Sequence, residues 1–202
     1  MKKIMFNDKY GLTQAVLDGR KTMTRRIINQ RTEGWLRMLY DERYDDWHRR
    51  SPYMYLETLA IAQSYRSILQ NTSLRDFVCQ IEYDGDLFID EFENITDGKG
   101  FKNKMFVKAK YMPHHIKISD IRVERLQDIS NEDCLREGVR LWEDAVPEYQ
   151  SNPLGKLYEI AGRRDRYKTP REAFAALIDN VSGKGTWERN PLVWVYEFEL
   201  VD

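Results

Sequence analysis

The sequence predicts a mixed α+β fold: a small β-barrel with flanking helices and a variable inserted region. Three observations point to the mixed class and the small barrel. The chain opens on a short helical stretch, runs through several strand-like segments, returns to two helices with marked starts, and closes on a strand. The closing segment, Leu192 to Val201, sets Leu192, Trp194, Tyr196, Phe198 and Leu200 on one face against Val193, Val195, Glu197 and Glu199 on the other. Thr169-Pro170-Arg171-Glu172 puts a hydroxyl at a helix cap, proline at the first helical position and glutamate at the third.

The elements follow in order. Asp8 to Asp18 reads as a short helix, because Leu12, Ala15 and Val16 recur at helical spacing and Gly19 is placed to end it. Thr32 to Arg50 carries Trp35, Leu36, Leu39, Tyr40, Tyr44 and Trp47, an amphipathic helical pattern weakened by Asp45 and Asp46. Glu57 to Tyr65 fits helix or strand by pattern alone. Phe77 to Tyr83 and Asp86 to Phe92 flank Asp84-Gly85, a hairpin signal. Lys104 to Met112 alternates as a strand ended by Pro113, and Ile116, Ile118, Ile121 and Val123 continue the β character. Ser130-Asn131-Glu132-Asp133 starts a helix with an imperfect capping box, and Gly138 would end it. Ala173, Phe174, Leu177, Ile178 and Val181 give the last helix an apolar stripe. Pro147 to Lys168 reads as a loop-rich insertion with a basic tail at Arg163, Arg164, Arg166 and Lys168. The expected organisation is one domain over residues 1–202, with insertions at about 30–55, 69–100 and 142–168.

Composition bounds the function. In 202 residues, 42% are hydrophobic and the aromatics include five Trp, twelve Tyr and eight Phe, enough for a core and against wholesale disorder. A net charge of -1 excludes a histone-like polycation. Two cysteines, Cys79 and Cys134, are no disulfide scaffold and predict reduced thiols in a cytoplasmic protein. No apolar run approaches the roughly 18–20 residues of a membrane span, so no membrane partner is expected.

Charge is unevenly placed. Met1 to Arg31 holds eight basic residues against Asp8 and Asp18, a net of +6. Lys99 to Arg125 holds eight against Asp120 and Glu124, again +6, while Glu82 to Asp97 carries seven acids and no base. Two basic segments in a neutral chain can form one face for a polyanion, or be the wet faces of strands.

No metal or cofactor is expected. His48, His114, His115, Cys79 and Cys134 lack zinc-site spacing, and there is no phosphate-cradling glycine motif. What stands out is Gly19-Arg20-Lys21-Thr22-Met23-Thr24-Arg25-Arg26, a helix end followed by dense cations and hydroxyls. On a turn Lys21 and Thr24 share a face; on a regular strand their odd separation sets them apart. The segment permits anion binding, Thr–Lys nucleophilic chemistry, or simply a solvated basic turn.

Several segments together resemble the ASCH domain family, most closely a branch found in phage and prophage genomes. The opening helix with Asp18-Gly19-Arg20-Lys21-Thr22-Met23-Thr24-Arg25-Arg26 is similar to the family's first motif. Ile121-Arg122-Val123-Glu124-Arg125-Leu126-Gln127-Asp128-Ile129-Ser130, running to Leu135-Arg136-Glu137-Gly138-Val139, is similar to its central strand and helix. Asn190 to Glu199 is similar to its closing strand. The resemblance implies a PUA-like β-barrel, makes Glu57 to Tyr65 a strand, and implies RNA or nucleotide binding. In that reading Arg20, Lys21, Arg25 and Arg26 hold phosphate in a basic cleft, while Gln63 and Tyr65 meet a base. Trp142 and Trp194 are further stacking candidates, with a core or rim role favoured for Trp194.

One small subfamily hydrolyses N4-acetylcytidine through a Lys, a Thr and a Glu, which fall on Lys21, Thr24 and Glu137 here. The alternative that the resemblance implies is therefore an amidohydrolase of an N4-acylated cytidine-type nucleoside. This chain is much longer than that subfamily and carries Gln63 where phage-type members often carry Glu. A third alternative is a phage-derived accessory protein without catalysis.

Overall fold

The computed structural model describes residues 1–29, 31–34, 50–71, 99–142 and 156–201. The chain divides into two compact units. One comprises Met1–Phe6, Thr58–Ile116 and Val201–Asp202; the other comprises Asn7–Glu57 and Lys117–Leu200.

In the first unit β1 (Lys3–Ile4) pairs in parallel with β3 (Thr58–Ile61), Lys3 opposite Ala60 and Ile4 opposite Ile61. Glu57 to Tyr65 thus contains a strand, and the helix α2 (Tyr65–Asn71) begins at its end. With α3 (Lys99–Lys102), these elements gather a core of Ala60, Tyr65, Ile68, Val107, Tyr111 and Met112. A Cβ at Gly100 would lie 2.4 Å from the Tyr65 ring, so only glycine permits that approach.

The segment from Lys104 to Met112 is not the expected strand. It forms two 3-10 turns, Lys104–Phe106 and Ala109–Tyr111. The Asn103 side chain accepts from the Met105 N–H and so favours a turn over extension. Lys3 Nζ reaches the carbonyls of Met105 at 3.0 Å and Val107 at 2.6 Å, satisfying oxygens that a strand would have given to a ladder.

In the second unit α1 (Leu12–Leu17) leads to β2 (Met23–Ile27). The long β4 (His115–Arg125), whose first two residues belong to the first unit, is followed by α4 (Asn131–Arg136). Three two-residue strands, β5 (Arg140–Leu141), β6 (Tyr158–Glu159) and β7 (Arg166–Tyr167), make a small sheet. The expected insertion at 142–168 therefore carries two short strands. Then come α5 (Pro170–Ser182), α6 (Thr186–Arg189) and β8 (Leu192–Leu200). At the start of α5 the capping box is complete: Thr169 accepts from the Glu172 N–H, and Glu172 accepts from the Thr169 N–H.

Five strands form one sheet in the order β1-β3-β4-β8-β2. Val193, Trp194, Val195 and Tyr196 are all buried, so the middle of β8 is covered on both faces rather than one. The sheet ends in β1 and β2, and no closed barrel forms among the described residues. The fold is mixed α+β. No helix among the described residues is long and apolar enough to cross a membrane. The expected hairpin around Asp84-Gly85, the acidic stretch from Glu82 to Asp97 and most of the expected helix from Thr32 to Arg50 lie outside the described residues.

Candidate functional site

Two chain reversals build the site. The first follows α1. Gly19 takes a φ of +70°, where a side chain would be strained, and turns the chain so that the Lys21 N–H reaches the Ala15 carbonyl at 2.8 Å. The Thr22 N–H then donates to the carbonyl of Arg136 at 3.1 Å, which ties the entry to β2 to the last residue of α4. The second reversal ends α4. Ser130 caps that helix by accepting from the Asp133 N–H, Glu137 closes it, and Gly138 follows at a φ of +108°.

These reversals place Glu137 beside Lys21. The Lys21 ammonium donates to Glu137 Oε2 at 2.6 Å, to the Glu137 carbonyl at 2.7 Å and to the Met23 carbonyl at 2.7 Å. All three of its protons are used. Lys21 is 2% exposed and Glu137 5%, so the pair is out of water. Burial depresses the Lys21 pKa below that of an ordinary lysine. The Glu137 charge and hydrogen bond oppose this, and Arg26 and Arg25 add to the depression.

Arg25 grips the other carboxylate oxygen. Its Nη1 lies 3.4 Å from Glu137 Oε1, and its Nη2 donates to Glu124 Oε2 and Asp133 Oδ2, both at 3.0 Å. Its guanidinium is enclosed, and its Nε has no hydrogen-bond partner among the described residues. The charges continue outward. Arg122 pairs with Glu124 at 2.5 Å and also with Glu197, which Arg136 holds at 2.5 Å. Arg136 Nε also donates to the Thr22 hydroxyl at 3.1 Å. Burial works against ionisation of Glu197, but the hydrogen bonds from Arg136 and Arg122 outweigh it and hold its pKa below the usual carboxylate value.

Thr24 sits on β2 opposite Tyr196, buried like the ion pair. Its neighbour Arg25 points toward Glu137, so strand alternation turns the Thr24 side chain to the other face. Its backbone is nonetheless close to the amine, because Lys21 bonds the carbonyl of Met23, the residue joined directly to Thr24. The Thr22 carbonyl accepts from the Phe198 N–H, so in the β2 ladder it is the Met23 carbonyl that points to the free edge. The Lys21–Glu137 pair therefore lies at the open edge of β2. Arg26, cross-strand from Trp194, shares the face of Thr24.

Other candidates fall elsewhere. Arg20 is half exposed and bonds Asp18 at 2.8 Å. Gln63 and Tyr65 belong to the first unit. Tyr65 is part of the apolar core there. Gln63 is buried, its backbone N–H donates to Met112 Sδ at 3.2 Å, and its Oε1 has no hydrogen-bond partner among the described residues. Trp194 is buried, while the Trp142 ring lies 5.4 Å from the Arg166 guanidinium.

The structure thus brings Lys21, Arg25 and Glu137 together. It adds Glu124 and Asp133, which sequence reasoning did not assign. The signal for Asp133 was its place as the carboxylate of the α4 cap. Glu124 showed only as an acid among the bases of β4. Chemically, a buried ammonium and carboxylate in contact can exchange one proton and become a neutral amine and a carboxylic acid, a base and an acid side by side. Among the described residues no group of His, Cys, Asp and Glu is placed to hold a metal ion. Comparison of the chain with protein-family models, curated proteins and solved structures finds no match.

Proposed function

We propose that the chain is an ASCH-type protein of PUA-like fold that hydrolyses the amide of an N4-acylated cytidine-type nucleoside. The observation that carries this reading is the buried Lys21–Glu137 contact at 2.6 Å, beside the Thr24 backbone. It joins two residue types that the family resemblance pairs across more than a hundred positions. Thr24, with its side chain on the other face of β2, is not the attacking group in this reading. Transfer of a proton from Lys21 to Glu137 leaves a neutral amine that takes a proton from water. The hydroxide bonds the acyl carbon, the C–N bond breaks, and Glu137 gives its proton to the leaving N4 amine, which frees the carboxylic acid.

Polyanion binding, the other reading of the same segment, asks for cations turned to solvent. Lys21 and Arg25 are turned inward onto carboxylates, which favours proton transfer over phosphate holding. The test incubates purified protein with N4-acetylcytidine and follows release of cytidine. Lys21→Ala and Glu137→Gln are each expected to lower the rate by about a hundredfold or more, and Thr24→Ala to change it little. No turnover across a panel of acylated nucleosides sinks the hydrolase. Salt-dependent RNA affinity that disappears when Lys21, Arg25 and Arg26 are all replaced by Ala would instead mark a binding protein.

A further inference from the structure

We propose that Arg25 is the positioning residue of this site, holding Glu137 Oε1 so that Oε2 alone trades a proton with Lys21. The inference rests on the hydrolase reading, and deepens it by assigning a role outside the reacting Lys21–Glu137 pair.

The geometry divides the carboxylate between two cations. Lys21 takes Oε2 at 2.6 Å, and Arg25 takes Oε1 at 3.4 Å. A carboxylate held at one point only can rotate, and then either oxygen can face the amine. Held at both, it presents one oxygen in one orientation. Arg25 is itself fixed. Its second nitrogen is shared between Glu124 from β4 and Asp133 from α4, so three carboxylates from two elements surround one planar group. Its Nη1 also lies 3.1 Å from the Sδ of Met23, on its own strand.

This arrangement exceeds what folding alone requires. One buried carboxylate would neutralise Arg25, and Glu124 and Asp133 already do so. The contact to Glu137 is therefore extra, and it is made by the one carboxylate that also meets the lysine. A lysine in place of Arg25 would keep the charge but could not span three carboxylates with a fixed fork. The charged groups facing Lys21 are Glu137, Arg25 and Arg26, so removal of Arg25 also removes one of two cations that disfavour its ammonium.

The experiment uses the full-length chain with Arg25→Lys, Arg25→Gln and Glu124→Gln. Two readouts are taken: kcat and KM on N4-acetylcytidine over a range of pH, and the titration midpoint of the Lys21 amine by NMR with ¹⁵Nζ-labelled lysine. Arg25→Lys is expected to lower kcat by about tenfold or more with KM little changed. Arg25→Gln should do the same and raise the Lys21 midpoint. Glu124 is partly exposed, so Glu124→Gln tests the clamp even where Arg25→Gln does not fold; it should lower kcat several-fold. Unchanged kcat in Arg25→Lys and Glu124→Gln overturns the assignment, as does an unmoved Lys21 midpoint in folded Arg25→Gln. The midpoint needs no substrate. An inert wild type with a shifted midpoint therefore sinks the hydrolase while upholding the Arg25–Glu137 coupling, and an active wild type with unaffected variants does the reverse.

Discussion

Glu137 offers Lys21 two oxygens at once, its backbone carbonyl and its carboxylate Oε2, at 2.7 and 2.6 Å. The carbonyl belongs to the C-terminal end of α4, where helix oxygens lack intrahelical partners. One ammonium therefore caps a helix and neutralises a side chain in the same contact. It also bonds Met23, at the start of β2. The proposed chemistry and the joint between α1, β2 and α4 thus depend on a single residue.

Breaking the pair from one side should cost more than removing it whole. Lys21→Met leaves a buried carboxylate with Arg25 as its remaining cation, and Glu137→Leu leaves a buried ammonium with only carbonyls. Each is expected to lose about 3–5 kcal/mol of unfolding free energy. The double variant should fall short of their sum by at least about 1 kcal/mol, because the second change no longer strands a charge. Urea melts of the four proteins provide the cycle, and strict additivity would show that the contact carries no coupling.

The pH dependence has a definite sign. An ordinary lysine has a value of 10.5, and burial lowers that of Lys21 in the folded chain, against the pull of Glu137. The unfolded chain thus binds this proton more tightly. Stability from this group is complete above 10.5, and it declines as pH falls toward the folded-state value. The stability of the wild type minus that of Lys21→Met should therefore grow from about pH 8 to about pH 10. A difference that shrinks over that range would mean the pair raises the lysine instead.

Glu197 behaves in the opposite sense. Its folded-state value is lowered because hydrogen bonds from Arg136 and Arg122 outweigh the effect of burial. Its contribution is present above the ordinary value of 4.5 and is lost as pH falls through the folded-state value. Glu197→Gln should cost about 1 kcal/mol at neutral pH and progressively less in acid. Melting curves at neutral and acid pH check it; an equal loss at both would assign the effect to packing.

Local signals in the sequence carried well where one residue decides an element. Thr169, Pro170 and Glu172 announced α5, and the capping box is there. The alternation from Leu192 predicted β8. Lys104 to Met112 misled because its alternation is chemical rather than structural: Asn103 folds back on the backbone and makes turns where the pattern suggested a strand. For the site, Lys21 and Glu137 were named as residues, and they meet. Their enclosure was not legible. A cation-rich run reads as a wet basic surface, and nothing local shows that Glu124, Asp133 and Glu137, from β4 and α4, will converge on Arg25. Ion pairing at long sequence separation is decided by topology, which composition does not encode.

Gly138 is where fold and site can be separated from catalysis. Its φ of +108° is a conformation that side chains rarely adopt. A Cβ there would also come within 2.8 Å of the Leu12 side chain and 3.7 Å of the Lys21 Cδ. Gly138→Ala therefore strains the backbone and pushes α1 away from the end of α4, the two elements whose approach seats Lys21 on Glu137. The expected loss is about 1–3 kcal/mol of stability. Because the displaced residue is next to Glu137, the Lys21 titration midpoint should move as well, in a protein whose ionisable groups are all intact. Gly19→Ala serves as the control: its φ is +70°, yet a Cβ there meets nothing within 4 Å. It should cost stability through backbone strain alone and leave the Lys21 midpoint in place. Equal midpoints in the two variants would show that the pair tolerates displacement of α4, and that its contact with Lys21 is not set by the tight turn at Gly138.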